Sequence, residues 1–211
     1  MLKQTPYNSE LFNTLRLIRT EGIGPITFYK LKAKFGSVEQ IIQSWPEINR
    51  LLKKEWVLAD VHLIEEEIKQ AHKAKASFLL FSDPSYPPLL RTLPDAPPIL
   101  TVVGNLQTLE RPAVAIVGAR NASVHGKRLS YLLARELGQA GWCIASGLAR
   151  GIDQSAHEGS LETGTIAVLA GGLDQIYPPE NATLYAQVAE KGLLLSECRW
   201  GQAPTAKHFP K

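Results

Sequence analysis

The sequence predicts an α/β protein, a parallel sheet with crossover helices, preceded by a small all-helical domain. Three observations predict it. Short apolar runs at Ala113–Val117, Trp142–Ala145, Thr165–Leu169 and Leu193–Leu195 alternate with segments of helical spacing, the pattern of βαβ units on a parallel sheet. The first three runs break into small or charged residues, at Gly118-Ala119-Arg120, Ser146-Gly147 and Gly171-Gly172. Residues 10 to 72 carry apolar positions at helical period throughout. Ligands of open α/β sheets bind beyond the carboxyl ends of the strands, so the three breaks are expected to converge on one site.

The helical domain is read over 1–76. Leu11, Leu15 and Ile18 begin an amphipathic pattern that stops at Gly22-Ile23-Gly24-Pro25. Pro25 suits a first helical turn, which does not need its missing N–H. The next helix carries Phe28, Leu31 and Phe35 and ends at Gly36, and Ser37 with Gln40 reads as a capping box. Ile41, Ile42 and Trp45 lead up to Pro46, and a last helix is expected from about Glu55 to Ala76. The segment EGIGPITFYKLKAKFGS resembles a helix-hairpin-helix element, whose hairpin N–H groups can hold a phosphate. A tight corner between two helices reads equally well, and Lys30, Lys32 and Lys34 do not share one helix face.

The αβ domain is read over 77–211. Ser77–Phe81 is a strand. Six prolines between Pro84 and Pro98 exclude helix from most of the stretch after it. The apolar content of that stretch predicts packing against the sheet, with a further strand at Ile99–Val103. Leu129, Leu132, Leu133 and Leu137 share a helix face. Helices are also expected over about Asp153–Leu161 and Asn181–Lys191.

Composition excludes several classes. At 45% apolar and 20% charged, the 211 residues suit a globular protein. The net charge of +3 is split evenly, with 13 Lys/Arg against 12 Asp/Glu in residues 1–110 and 10 against 8 beyond, so an anion site has to be a local cluster. Cys143 and Cys198 have no CxxC spacing and read as free buried thiols. No basic leader and no apolar stretch near ~18 residues is found, which places the protein in the cytoplasm by elimination. No metal site or cofactor motif is read.

At the site, Gly118-Ala119-Arg120 lacks the clustered glycines of a dinucleotide fingerprint. Arg120 instead offers a guanidinium fork suited to phosphate. Ser146 and Gly147 offer hydroxyl and N–H donors, Arg150 a second cation, and Gly171-Gly172 an anion-accepting turn. Asp153 at a helix start reads as a cap, with His157 four residues on along the same face. That pair invites acid–base chemistry, but no oriented nucleophile accompanies it. Tyr177 beside Pro178-Pro179 reads as packing or as a surface for a base.

The stretches IVGARNASVHG (116–126), SGLARGIDQSAHEG (146–159), TIAVLAGGLDQIYPPEN (165–181) and LLLSE (193–197) closely resemble the DNA-processing protein A family, also called Smf. The resemblance covers nearly the whole chain. It implies an extended Rossmann-like domain behind a sterile-alpha-motif-like or helix-hairpin-helix-like domain. It also implies single-stranded DNA binding, homodimerisation and loading of the RecA recombinase in natural transformation, without enzymatic turnover. The DNA pocket it implies involves Arg120, Ser146, Gly147, Arg150 and Phe209, with Lys207 close by and Gly118, Asp153, His157 and Tyr177 as supporting residues. Family members usually continue FPxRNRxIAGLS; this chain stops at Phe209-Pro210-Lys211, before the paired arginines, so its C-terminal end reads as truncated. The alternative is a nucleotide-binding enzyme resembling the nucleoside-monophosphate phosphoribohydrolases, the lysine-decarboxylase-like fold. Its PGGxGTxxE signature, with a catalytic Glu, is not matched by LAGGLDQIYPPE.

Overall fold

The computed structural model describes residues 8–205. The chain divides into two compact units: residues up to Ala74 together with Leu80–Ile99, and Lys75–Leu79 together with residues from Leu100 on. The expected boundary after residue 76 lies near the first crossing, but the proline-rich segment groups with the helical unit and not with the sheet. The reason is aromatic. Phe81 meets both Tyr29 and Tyr86 at 5.3 Å between ring centroids, and Arg91 lies over the Phe81 and Tyr86 rings. Tyr86 is fully buried, and its hydroxyl donates to the Pro97 carbonyl at 2.8 Å.

The helical unit contains α1 (Ser9–Ile18), α2 (Pro25–Phe35), α3 (Val38–Gln43), α4 (Trp45–Leu52), α5 (Val61–Lys73) and the short α6 (Pro88–Arg91). The Ser37–Gln40 capping box forms, with bonds of 2.8 and 3.2 Å. Ile41 and Ile42 belong to α3, whereas Trp45 and Pro46 open α4. Pro46 sits in the first turn of α4, where its missing N–H costs nothing. The last helix starts later than expected because Asp60 caps it, accepting from the His62 N–H at 2.8 Å. A buried pair of Arg19 and Glu67, 3.0 Å apart, ties α1 to α5. The hairpin glycine Gly22 adopts φ +82 with the Trp56 indole where a Cβ would stand.

The second unit is built on a six-stranded sheet of order β1-β2-β6-β5-β4-β3, with β1 at Ser77–Leu80, β2 at Ile99–Gly104, β3 at Ala113–Ala115, β4 at Cys143–Ser146, β5 at Thr165–Val168 and β6 at Leu193–Ser196. β3, β4, β5 and β6 are parallel, while β2 runs antiparallel to β6. The expected parallel sheet is present, with β2 as an antiparallel addition. Its helices are α7 (Val124–Gln139), α8 (Ile152–Ser160) and α9 (Ala182–Lys191). Register places Ile144, Thr165, Ala167 and Leu194 on one sheet face. α7 and α8 cover that face around Ile144, and α9 covers it around Ala167 and Leu194. On the opposite face, Ala113, Ala115, Val117 and Val168 are exposed.

α7 departs from the sequence reading. Its fully buried residues are Ser130, Ala134 and Gly138; Leu132 and Leu137 are half-buried, Leu137 against the Ile144 cluster, while Leu129 is 58% and Leu133 47% exposed. Small residues win because α7 and α8 pack at close approach. A Cβ at Gly138 would overlap the Thr163 side chain, and one at Gly159 would overlap the Tyr131 carbonyl oxygen.

That contact sets a prediction. Helix propensity alone favours alanine over glycine by about 1 kcal/mol, whereas forcing a methyl against backbone costs about 1–3 kcal/mol. Gly159→Ala is expected to be net destabilising, lowering the melting temperature by a few degrees. A rise on thermal denaturation would contradict the close α7–α8 packing.

Candidate nucleic-acid interface

The parallel strands bring the loops after β3 and β4, and the longer loop after β5, to one edge. They line a cleft with Arg120, Gly147, Ala149, Arg150, Tyr177 and Pro178. Both arginines are exposed, and Tyr177 is 44% exposed. The Arg150 guanidinium stands 3.4 Å from the Glu180 carboxylate.

Beneath these side chains lies a layer of buried polar groups, each spent on backbone. The Asp153 carboxylate, in the first turn of α8, accepts from the Gly118 N–H at 3.3 Å and from the Gly147 N–H at 3.1 Å. It thus ties the end of β3 to the end of β4. The Ser146 hydroxyl donates to the Ile116 carbonyl at 2.6 Å, a second tie between the same strands. The expectation that Ser146 and Gly147 present donors to a ligand is corrected: the Ser146 side chain is buried and the Gly147 N–H is already bonded. Gly118 takes part through the same Asp153 bond.

Gly151 lets the two arginine loops meet. Its φ is +85, and a Cβ there would stand 2.6 Å from the Arg120 carbonyl oxygen, so only glycine fits. The Ile152 N–H donates to the Ala119 carbonyl at 3.3 Å, fastening the crossing.

His157 is fully buried, and its two ring nitrogens have distinct partners. Nε2 accepts from the Leu148 N–H at 3.3 Å, which leaves the proton on Nδ1, 2.7 Å from the Thr165 hydroxyl. That hydroxyl in turn donates a hydrogen bond to the Ile144 carbonyl at 3.0 Å. Burial pushes the His157 pKa down from 6.5 to about 4, so the ring is neutral. Leu148, held by it, adopts the left-handed conformation at φ +57, a cost that surrounding bonds must offset. Its carbonyl accepts from the Asn181 amide at 2.9 Å. Asp153 and His157 thus hold separate pieces of backbone. Asn181, Thr165 and the left-handed Leu148 were missed by sequence reasoning. Asn181 was read only as the start of a helix; it stands at the N-cap of α9, but its side chain makes no cap bond.

Gly171 and Gly172 are not brought into the cleft. Both are buried, and the Gly172 N–H donates to the Gln202 carbonyl at 2.8 Å. A Cβ at Gly171 would stand 3.0 Å from Gln202 and Pro204. The segment Arg199–Pro204 covers this turn, so the third loop reaches the cleft through Tyr177 and Pro178. Lys207 and Phe209 lie outside the described residues. Among the described residues, no group of three or more His, Cys, Asp or Glu could hold a metal ion, and no helix is long and apolar enough to cross a membrane. Cys143 and Cys198 are buried thiols outside any disulfide.

Residues 77–211 match the profile of the family described as DNA recombination-mediator protein A, and residues 8–70 match that of the DprA-like N-terminal HHH domain. The chain belongs to the DNA recombination-mediator protein A family. It is 36% identical over 222 residues to Protein Smf of Synechocystis sp., an alignment covering 96% of this chain and 54% of that protein. It is 39% identical over 132 residues to DNA processing protein DprA of Bacillus subtilis, covering 61% of this chain and 44% of that one. The chain thus spans about half the length of these curated relatives. The solved Streptococcus pneumoniae DprA superposes with a TM-score of 0.61 at 33% identity, covering 89% of this chain and 72% of that chain. The Helicobacter pylori protein, whose structure describes a single-stranded DNA binding mode, gives a TM-score of 0.59 at 35% identity, covering 64% of this chain and 61% of that one.

The neutral His157 predicts a pH dependence. Above pH 6.5 the ring is neutral both folded and unfolded, and its contribution is complete. As pH falls from 6.5 toward about 4, the unfolded chain takes up a proton that the folded one refuses, so stability falls. The loss is about 2 kcal/mol by pH 5. Urea melts of the parent and of His157→Asn at pH 7 and pH 5 check it: the parent should lose more stability on acidification than the variant.

Proposed function

We propose that this protein binds single-stranded DNA at the cleft of Arg120 and Arg150, and acts as a non-enzymatic mediator that helps load the RecA recombinase during natural transformation. The observation that carries the reading is the pair of exposed guanidiniums on adjacent strand ends, fixed to each other through Gly151 and the Asp153 bridge. Arginine forks suit phosphodiester oxygens. Phosphate contacts without base-edge readout give binding with little sequence preference and strong salt dependence. The cleft is bounded by loops on several sides, which suits a flexible strand better than a rigid duplex.

Two features support the absence of turnover. The groups that could serve as acid or base, Asp153 and His157, are occupied with backbone, and the glycine turn corresponding to a phosphoribohydrolase site is covered by Arg199–Pro204. The enzyme reading has no observation in its favour. We place the protein in the cytoplasm, where its DNA and recombinase partners are. The intact protein forms a homodimer in this reading, with the exposed Leu129 and Leu133 of α7 as its self-association surface. Light scattering on the intact protein checks this: the parent should be a dimer and Leu133→Glu a monomer.

Arg120 is the decisive test of DNA binding. A charge-assisted hydrogen bond contributes roughly 1.5–3 kcal/mol, so Arg120→Ala should weaken binding about 10- to 100-fold, with a shallower salt slope. Arg120→Lys should recover only part of the loss, because it restores charge without the fork. Fluorescence anisotropy with single- and double-stranded probes at matched ionic strength measures both effects. Unchanged binding by a folded Arg120→Ala, or equal affinity for duplex, would reject this site.

A further inference from the structure

We infer that Tyr177 is the wall of a nucleobase subsite: an unpaired base stacks on its ring while the adjoining phosphate lies on Arg120 and Arg150. This rests on the proposed DNA-binding reading and adds to it a residue with a different job.

The lining of the cleft is of two kinds. Arg120 and Arg150 are cationic, Ala149, Tyr177 and Pro178 offer apolar surface, and Gly147 adds a stretch without a side chain. A nucleotide has the same division, an anionic phosphate at one end and an apolar, polarisable base face at the other. Tyr177 keeps 44% of its surface exposed, although burying an aromatic ring is among the larger gains a side chain can make. An exposed aromatic ring beside paired cations is the arrangement by which single strands are held without sequence readout.

The backbone that carries the ring is held in place, as a stacking platform requires. The loop that carries it is fastened at both ends. On the far side, the Asn181 amide donates to the Leu148 carbonyl at 2.9 Å, and the Asn181 N–H donates to the Pro178 carbonyl at 3.0 Å. On the near side, the Gln175 N–H donates to the Gly172 carbonyl at 2.9 Å, and Asp174 accepts from the Gly201 N–H at 2.7 Å. The Tyr185 hydroxyl holds the Leu173 carbonyl. The Asn181 bond reaches the same loop that carries Gly147 and Arg150, so the position of the ring is set relative to the cations. Such a subsite also gives a reason for strand preference: paired bases are already stacked in a duplex and cannot enter.

The test compares two probes of equal length and charge, an oligothymidylate and an abasic deoxyribose-phosphate strand, by fluorescence anisotropy with this chain. The parent should bind the abasic strand about tenfold more weakly than the thymidylate. Tyr177→Ala should lose about tenfold on thymidylate and nothing on the abasic strand, with its salt slope unchanged. Tyr177→Phe and Tyr177→Trp should bind like the parent, since both keep an aromatic face. Arg120→Ala should lose equally on both probes. Thermal melts confirm that each variant is folded. If Tyr177→Ala binds both probes like the parent while Arg120→Ala is weakened, the subsite is overturned and the phosphate site stands. An equal loss on both probes for Tyr177→Ala would overturn it too, by showing that the ring only supports the loop. If Arg120→Ala also binds like the parent, the cleft is not the DNA site and both readings fall together.

Discussion

The bridge made by the Asp153 carboxylate governs the geometry of the site. Two strand ends that would otherwise diverge into independent loops donate to the same side chain, Gly118 at 3.3 Å and Gly147 at 3.1 Å. A buried carboxylate is costly unless its oxygens are well bonded. Here both are bonded to backbone at the start of α8, where the helix dipole favours an anion. Everything above the bridge inherits its rigidity: the crossing at Gly151, the left-handed Leu148, and the two arginine-bearing turns.

The site is therefore layered by function. The lower layer consists of Asp153, His157, Ser146, Thr165 and Asn181, all buried, all bonded to main chain or to one another. The upper layer consists of exposed side chains with charge or an aromatic face. A polar network is worth having in a core only when its members are satisfied. In this one, His157 shows how the condition is met, because its neutral tautomer is dictated by a donor on one side and a hydroxyl on the other. The same residue types in a looser arrangement would read as catalytic. Their engagement with backbone makes them a scaffold for the loops above.

Much of this was legible in the sequence, and what was not has physical causes. The four parallel strands appear as short apolar runs, β4, β5 and β6 because they are enclosed along most of their length and β3 although Ala113 and Ala115 are exposed, and each ends where a small or charged residue interrupts the run. Arg120 and Arg150 drew attention because a cation at a strand end has few structural reasons to be there, and both line the cleft. Ser146, Gly171 and Gly172 were misassigned because a small residue at a strand end looks the same whether it faces a ligand or another loop. Only the structure shows the Ser146 hydroxyl turned to Ile116 and the segment through Gln202 lying over the glycines. The α7 leucines misled for a related reason. Periodicity reports which face is apolar, but Gly138 and Gly159 let two helices approach so closely that the small-residue face gained the better packing. The proline-rich stretch declared itself apolar without naming its partner, which proved to be the Tyr29 and Phe81 rings.

The open side of the sheet has a consequence for how this chain behaves in a tube. β3 is the terminal strand of the sheet, and Ala113 and Ala115 stand exposed on it and Val117 just beyond it, not far in sequence from the bare Leu129 and Leu133 of α7. An uncovered strand edge bordered by apolar side chains is a template for other strands, and a net charge of only +3 gives weak colloidal repulsion against it. Salts that salt out apolar surface, sulfate above all, will drive this chain toward precipitation sooner than its ordinary composition suggests. Moderate chloride has the opposite merit of leaving the protein dispersed, at the expense of its affinity for any polyanion.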